Sequence, residues 1–502
     1  MNFLQWLYQT VWGVPALVLI LSVGLYLTIQ TGFAQLRLFP RACRQFFRRM
    51  FGKKDSGQGV SSFQALCTAL AATVGTGNLA GVAGAIAIGG PGAVFWMWIC
   101  GILGMIIKFA EATLAVHFRQ KNEAGEWVGG PMYMIRNGLP KGYASLAGIY
   151  AFFGVVAAFG VGNATQINTV ISAARETFSL YGIPLPDWSS LLFGALLAAL
   201  IGSILLGGAK RIGHIAEWLV PFAAGGYLLL GVLVIILRHD AVADAFCAIF
   251  TGAFHPKAAT GGVVGSAVVA LRTGVSRGVF TNEAGMGTAS IAHASAAVKH
   301  PAQQGLMGIV EVFLDTIVIC TVTALVILVS GVPIPYGTDV GVGLTTAAFS
   351  SVLGPWVSVA ITLALCLFAL ATVLGWGLYG IRCAQYLFGD GAWRKFVYLQ
   401  IAMVLVSAVM RVETAWLLAE IVNGLMAVPN LIALWALTPK LKYLYKSYLH
   451  GGTYENFHQR QSLRILSHAH VPSSGSSGQG SGKKDLSSEH RPAGFEDPAR
   501  VL

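Results

Sequence analysis

Three observations predict an all-α polytopic membrane protein. The chain of 502 residues is 55% hydrophobic and only 11% charged, with a mean hydropathy of +0.67, whereas a soluble domain carries about 25% charged residues. Uncharged apolar runs of about 20 residues, the length a helix needs to cross hydrocarbon, recur from end to end; barrel strands would alternate over about ten residues, and these runs do not. Two of the runs are also interrupted by glycine, at Val74-Gly75-Thr76-Gly77-Asn78-Leu79-Ala80-Gly81 and at Phe280-Thr281-Asn282-Glu283-Ala284-Gly285-Met286-Gly287. Each helical glycine gives up about 1 kcal/mol against alanine. In hydrocarbon every freed N–H and C=O needs a partner, so broken backbone survives only under protein or beside a wet cavity. Two breaks at corresponding places in two halves point to a transporter's binding site.

About eleven spans are expected. The first covers residues 14–33 and is followed by Arg37, Arg41, Arg44, Arg48, Arg49, Lys53 and Lys54, which puts this connection in the cytoplasm and the N-terminus outside. Span two (63–88) carries the first break, and Gly89-Gly90-Pro91-Gly92 turns into span three, which ends near His117. Arg119, Lys121, Arg136 and Lys141 mark the next cytoplasmic loop. Span four (144–172) contains Gly162-Asn163-Ala164-Thr165-Gln166, span five ends at Lys210-Arg211, and span six reaches residue 237. The connection 238–260 holds a short interfacial piece, and span seven (261–297) carries the second break. Spans eight (305–330), nine (352–387), ten (396–410) and eleven (415–437) complete the core. Lys299, Arg394 and Lys395 fall inside and Asp339 outside, while Arg238, Lys257 and Arg411 are outward exceptions to the charge rule.

With the first span set aside, the broken spans two and seven each head a group of five helices of opposite orientation, an inverted repeat. The chain then divides into 1–60 (first helix and basic connection), 61–240 (first repeat), 241–260 (outer connection), 261–439 (second repeat) and 440–502. The last segment includes a Ser/Gly-rich run, residues 473–482, with nothing to bury, and is expected to be disordered and cytoplasmic. His468 and His470 belong to that solvated tail rather than to a metal site.

The net charge of +12 sits in short connections and the tail, which excludes nucleic acid as the partner and leaves the bilayer. The seven cysteines form no CxxC pair and read as small apolar residues. No basic residue precedes the first apolar run, so no cleaved signal is expected. No Gly-x-Ser-x-Gly, His-Glu-x-x-His or Walker-type loop occurs, so no enzyme and no cofactor are expected.

An unwound turn at Gly75-Thr76-Gly77-Asn78 offers N–H groups to a carboxylate and carbonyls, aided by hydroxyls, to a small cation such as Na⁺. Gly77 and Gly81 are also at close-packing spacing. Thr281 and Asn282 bring polar groups to the second break. Glu283 is either functional or structural, neutralised by Arg277 or Arg272. Gln166 reaches the substrate amine, a backbone break or a neighbouring helix. Asp315 relays protons, binds a cation or braces a loop. Glu111 and Lys108, one turn apart, read as an ion pair. Thr372 and Trp376 share a helix face, where a hydroxyl can meet a cation and an indole can wall a pocket.

The two broken motifs, together with Gly89-Gly90-Pro91-Gly92-Ala93-Val94-Phe95-Trp96-Met97-Trp98, resemble those of the alanine or glycine:cation symporter family, over roughly residues 12–439. The resemblance implies a LeuT-type fold in the plasma or inner membrane and import of alanine or glycine, sometimes D-alanine, with Na⁺ or in some members H⁺. It also implies substrate contacts from Thr76, Gly77, Asn78, Gln166, Phe280 with its neighbours Thr281 and Asn282, Thr372 and Trp376. Cation ligands would come from the backbone around Ala72 and Gly75 and from the Thr372 hydroxyl.

Overall fold

The computed structural model describes residues 13–52, 59–255, 267–338, 340–410 and 412–451, together with Trp6, Thr10 and Val11. Lys53, Lys54, Lys257, Asp339, Arg411 and the tail with His468 and His470 lie outside them, as does the start of span seven.

Every expected span has a helical counterpart. Helix α1 (Val14–Gln30) leads to an amphipathic α2 (Phe39–Phe51). Span two is α3 (Ser62–Thr73) and α4 (Val82–Gly89), joined through Val74–Thr76 and a π turn at Gly77–Gly81, with a 52° bend. Helix α5 (Gly92–Phe118) follows. Span four is α6 (Ala144–Phe159) and α7 (Thr165–Leu180), with a π turn at Gly160–Ala164. Helices α8 (Ser189–Leu205) and α9 (Gly208–Leu237) come next, then α10 (Val242–Phe254), a helix within the connection 238–260. Span seven is α11 (Ala267–Asn282) and α12 (Thr288–Ala294); span eight is α13 (Pro301–Val312), a π turn at Phe313–Ile319 and α14 (Cys320–Val329). Helices α15 (Gly343–Leu353), α16 (Val357–Phe388), α17 (Ala392–Val409), α18 (Val412–Ala436) and α19 (Thr438–Leu449) complete the order.

Among the described residues six helices are long and apolar enough to cross a membrane, or up to eight if each of two bent pairs is one span. The count falls short of eleven because α1 and α8, at 17 residues, and the halves of the broken spans are short. Span five stops at Leu205 rather than at Lys210-Arg211, because Gly207-Gly208 turns the chain and Lys210 and Arg211 open α9. Several helices lie outside the expected spans, among them α2 and the helix Pro131–Gly138 in the basic connections. Helix α15 precedes span nine, and α19 carries regular structure past Lys440 to Leu449.

Side-chain caps set the starts of two helices, α3 and α13. Ser61 and Gln64 form a reciprocal capping box on α3, which satisfies two orphan donors at once. At α13 the His300 Nδ1 accepts the Ala302 N–H at 3.1 Å; burial lowers the pKa of this ring to about 4, leaving the nitrogen free to accept. Four cysteines (Cys67, Cys100, Cys320 and Cys383) are buried and Cys247 is exposed.

Helix α5 is the central post, packed along α11 and α13, and glycines set how close it comes. A Cβ on Gly274 would lie 2.3 Å from the Ala93 carbonyl oxygen, and one on Gly92 would lie 2.0 Å from the Gly252 carbonyl carbon. Both obstacles are backbone, so Gly274→Ala must push α11 off α5. Overpacking of this kind costs about 1–3 kcal/mol, and a lower melting midpoint in detergent is the expected readout.

Candidate functional site

At the first break the chain leaves α3 in an extended conformation at Val74, and Asn78 folds back to close it. Its Oδ1 accepts the Gly75 N–H at 2.8 Å, and its Nδ2 donates to Asp315 Oδ1 at 2.7 Å. The other Asp315 oxygen accepts from the Thr316 hydroxyl at 2.8 Å. Thr316 in turn accepts from Asn282 Nδ2 at 3.1 Å, and Asn282 Oδ1 accepts the Ala284 N–H at 2.9 Å. One hydrogen-bonded chain therefore links the two breaks through the π turn of span eight. Asp315 braces the break, one of the roles open to it from sequence.

At the second break Glu283, Gly285 and Gly287 all take positive φ (52°, 94° and 78°), so the backbone turns through the left-handed region, where glycine is strain-free. Glu111 Oε1 accepts the N–H of Gly285 at 3.0 Å, that of Gly287 at 3.1 Å and Asn430 Nδ2 at 2.7 Å. Tyr150 donates to the Met286 carbonyl, and Asn430 to that of Gly285. Every one of these partners comes from another span.

Two sequence expectations are corrected here. Lys108 pairs not with Glu111 but with Glu311 on α13, at 2.9 Å, because the Glu111 carboxylate is taken by the backbone of the second break. Glu283 is not neutralised by Arg277 or Arg272. Its carboxylate is held by the Thr288 hydroxyl (2.5 Å) and the Trp376 indole N–H (3.1 Å), at the favourable positive end of α12. Glu311 also meets His293 Nε2 at 2.8 Å, His293 Nδ1 lies 2.7 Å from Gln304 Nε2, and Gln304 Oε1 accepts from Ser62 at 2.6 Å. Sequence reading missed this network, since its members are scattered over four helices.

A cavity of about 540 Å³ reaches down to the first break. Thr76, Gly77 and Phe280 form its floor; the α7 residues Thr169 and Ser172, the α16 residues Thr362 and Leu365, and the segment 340–343 form its walls, with Arg277 along one side. A Cβ on Gly77 would sit 3.4 Å from both Phe280 and Thr281 and one on Gly81 3.8 Å from Thr281, ordinary van der Waals distances, so close packing does not by itself require glycine at either position. Gln166 is buried behind the floor, accepting from Thr76 Oγ1 at 3.4 Å and donating to the Val161 carbonyl of the π turn at 3.3 Å.

Next to this floor, a Cβ on Gly75 would lie 2.8 Å from Thr372 Oγ1, and one on Gly375 would lie 2.8 Å from Ala72 Cβ. Ala72, Gly75 and Thr372, the residues expected to hold a cation, are therefore brought together. The remaining expected residues point elsewhere. The Thr281 hydroxyl turns back to the Gly278 carbonyl, Asn78 and Asn282 are engaged in the chain between the breaks, and Trp376 is fully buried against Gly162, where a Cβ would lie 2.2 Å from its own Cβ.

Glu111→Ala would leave three buried donors without an acceptor, at about 1–3 kcal/mol each, so loss of folded protein on size exclusion is expected. Glu111→Gln keeps one acceptor oxygen and is expected to be milder in the same assay.

Residues 1–460 match the Sodium:alanine symporter family. The chain is 42% identical over 435 residues to the sodium/alanine symporter AgcS of Methanococcus maripaludis, covering 85% of this chain and 92% of that one. It is 36% identical over 442 residues to the probable sodium/glutamine symporter GlnT of Bacillus subtilis, covering 87% and 88% respectively. The crystal structure of MhsT in complex with L-phenylalanine shares the fold, with a TM-score of 0.53 at 15% identity over 78% of this chain and 97% of that one. A match over nine-tenths of the sequence, and relatives this similar along their length, make the chain a member of the sodium:alanine symporter family of membrane transporters and not an enzyme.

Proposed function

We propose that the chain imports a small neutral amino acid, alanine or glycine with D-alanine as a further substrate, coupled to Na⁺ by alternating access. The observation that carries this reading is the convergence of Ala72, Gly75 and Thr372 beside a cavity floor made by Thr76, Gly77 and Phe280. Backbone and hydroxyl oxygens suit a small hard cation, and half-helix ends suit a substrate carboxylate. Gln166, one bond from Thr76, is positioned to orient that residue. Inward movement of Na⁺ supplies about 2.3 kcal/mol per charge per 100 mV, besides its concentration gradient.

In the same reading the fold is a LeuT-type 5+5 inverted repeat of eleven spans with the first helix outside it, in the plasma or inner membrane. The N-terminus is outside and the C-terminus cytoplasmic, supported by the arginines of α2 and the basic loops. Selection for small side chains falls on Phe280, which covers Gly77; Trp376 acts on the site through Glu283 rather than as its wall.

A second reading has H⁺ as the coupling ion, through Asp315. The observation favouring it is that this one carboxylate joins both breaks. Labelled alanine uptake into proteoliposomes separates the two. Accumulation that needs an inward Na⁺ gradient and is competed by glycine is the expected result; uptake driven by a pH gradient alone would move the coupling to H⁺. Thr372→Ala is expected to raise the Na⁺ concentration needed for half-maximal uptake at least tenfold, the loss of about 1.4 kcal/mol. Asp315→Asn keeps an acceptor for Asn78 and is expected to retain Na⁺-driven uptake. Phe280→Ala is expected to admit serine or glutamine in competition assays, and unchanged competition would remove the steric role.

A further inference from the structure

We propose that α2 binds anionic phospholipid, and that the bound lipid braces the ends of the spans that carry the first break. The helix presents three sectors. One packs on protein: Ala42 and Gln45 are buried, Gln45 Nε2 donates to the Gln303 carbonyl at 2.8 Å, and Phe46 lies 6.0 Å from Phe63 in the first turn of α3. Phe39 meets Phe313, the first residue of the π turn that holds Asp315, edge-on at 4.7 Å. The helix therefore touches both elements that close the first break.

The second sector is cationic. Arg41, Arg44 and Arg48 are exposed and recur at spacings of three and four residues, which stacks them in one stripe. Like charges so placed repel one another, and no Asp or Glu occurs between residues 34 and 52 to offset them. The third sector is apolar. Phe47, Met50 and Phe51 are exposed, with the Phe47 and Phe51 rings stacked. At the start of α2 an apolar groove of about 380 Å³ continues this sector, lined by Leu36, Phe39, Trp98, Met105, Phe313 and Ile317.

A cationic stripe beside an aromatic ridge matches the boundary between headgroups and acyl chains, with phosphate on the one and hydrocarbon under the other. A soluble polyanion would match the stripe and leave the ridge and the groove in water. Only a short connection, Thr31–Leu38, separates α2 from the apolar helix α1, which holds it at the bilayer surface.

The test uses the full-length protein in nanodiscs and does not depend on which solute is carried. Phosphatidylglycerol mixed into phosphatidylcholine discs is expected to raise the melting midpoint by several degrees, and about 1 M salt is expected to erase most of that rise by screening. The triple variant R41Q/R44Q/R48Q is expected to keep its midpoint in pure phosphatidylcholine and to lose the rise, while R41K/R44K/R48K keeps it. An equal rise in the glutamine variant overturns the proposal. So does a rise reproduced by inorganic phosphate in phosphatidylcholine discs, which would indicate a free-anion site. Should the glutamine variant fail to fold, the wild-type salt dependence decides: a rise that survives high salt overturns the proposal.

Discussion

Breaking a helix inside hydrocarbon exposes backbone groups that lipid cannot satisfy, and the architecture around both breaks follows from meeting that demand. Each break is closed by side-chain hydrogen bonds that tie it to other spans. Asn78 turns one end of its amide on the first break and the other on Asp315; Glu111 supplies one oxygen to two N–H groups of the second. Because Asp315, Thr316 and Asn282 continue the first closure into the second, the two unwound segments are held as one unit. Span eight has to bulge into a π turn at Phe313–Ile319 to present Asp315 and Thr316 there. That deformation is intelligible as the cost of joining the breaks.

A second buried network fixes the other end of the broken helix α3. The Ser62 carbonyl can only accept, and it lies 3.3 Å from Gln304 Nε2, which orients the amide so that the same nitrogen faces His293 Nδ1. That ring nitrogen must then accept, which leaves the proton on Nε2, facing Glu311. Lys108 is the cation that answers Glu311. Removing one member of a buried pair is far costlier than the pair is worth, so these residues are bound to one another more tightly than to any single helix. Ser62 lies at the start of α3 and Asn78 just past its end, so both ends of this half-span are tied to span eight.

The breaks were legible in the sequence because glycine interleaved with threonine and asparagine at that density exceeds what helix packing needs in an apolar run, and the family resemblance rests on the same residues. The spans were legible because hydropathy needs no tertiary information. What sequence could not give was which buried charges meet. Lys108 and Glu111 are correctly spaced to pair on one helix, but a carboxylate facing two unsatisfied N–H groups has a stronger claim on its oxygen, and Glu311 is close only in the folded protein. Trp376 was read as a pocket wall from its place one turn beyond Thr372; the absence of a side chain at Gly162 instead lets the indole sink behind the site. Helix α15 carries too short an apolar pattern to be separated from a loop by periodicity.

These attachments also divide the cavity into walls that are held differently. Its floor belongs to the unit of two breaks and span eight, laced by charged and amide hydrogen bonds. Its other wall, α7 and α16, is joined to that unit by the long Thr76–Gln166 contact at 3.4 Å, the Trp376–Glu283 bond and the close approach of Gly375 to Ala72. Sliding at this seam parts the bonds that the Trp376 indole and the Thr76 hydroxyl donate, whereas opening the unit itself would part Asn78 from Asp315 and break the buried Lys108–Glu311 ion pair. On the proposed transport cycle the seam between α16 and α3 would be the surface that moves, and it is there that Thr372 meets Gly75. A cation held by both sides of that seam would bind better in the state that closes it, which is the differential affinity that coupling requires.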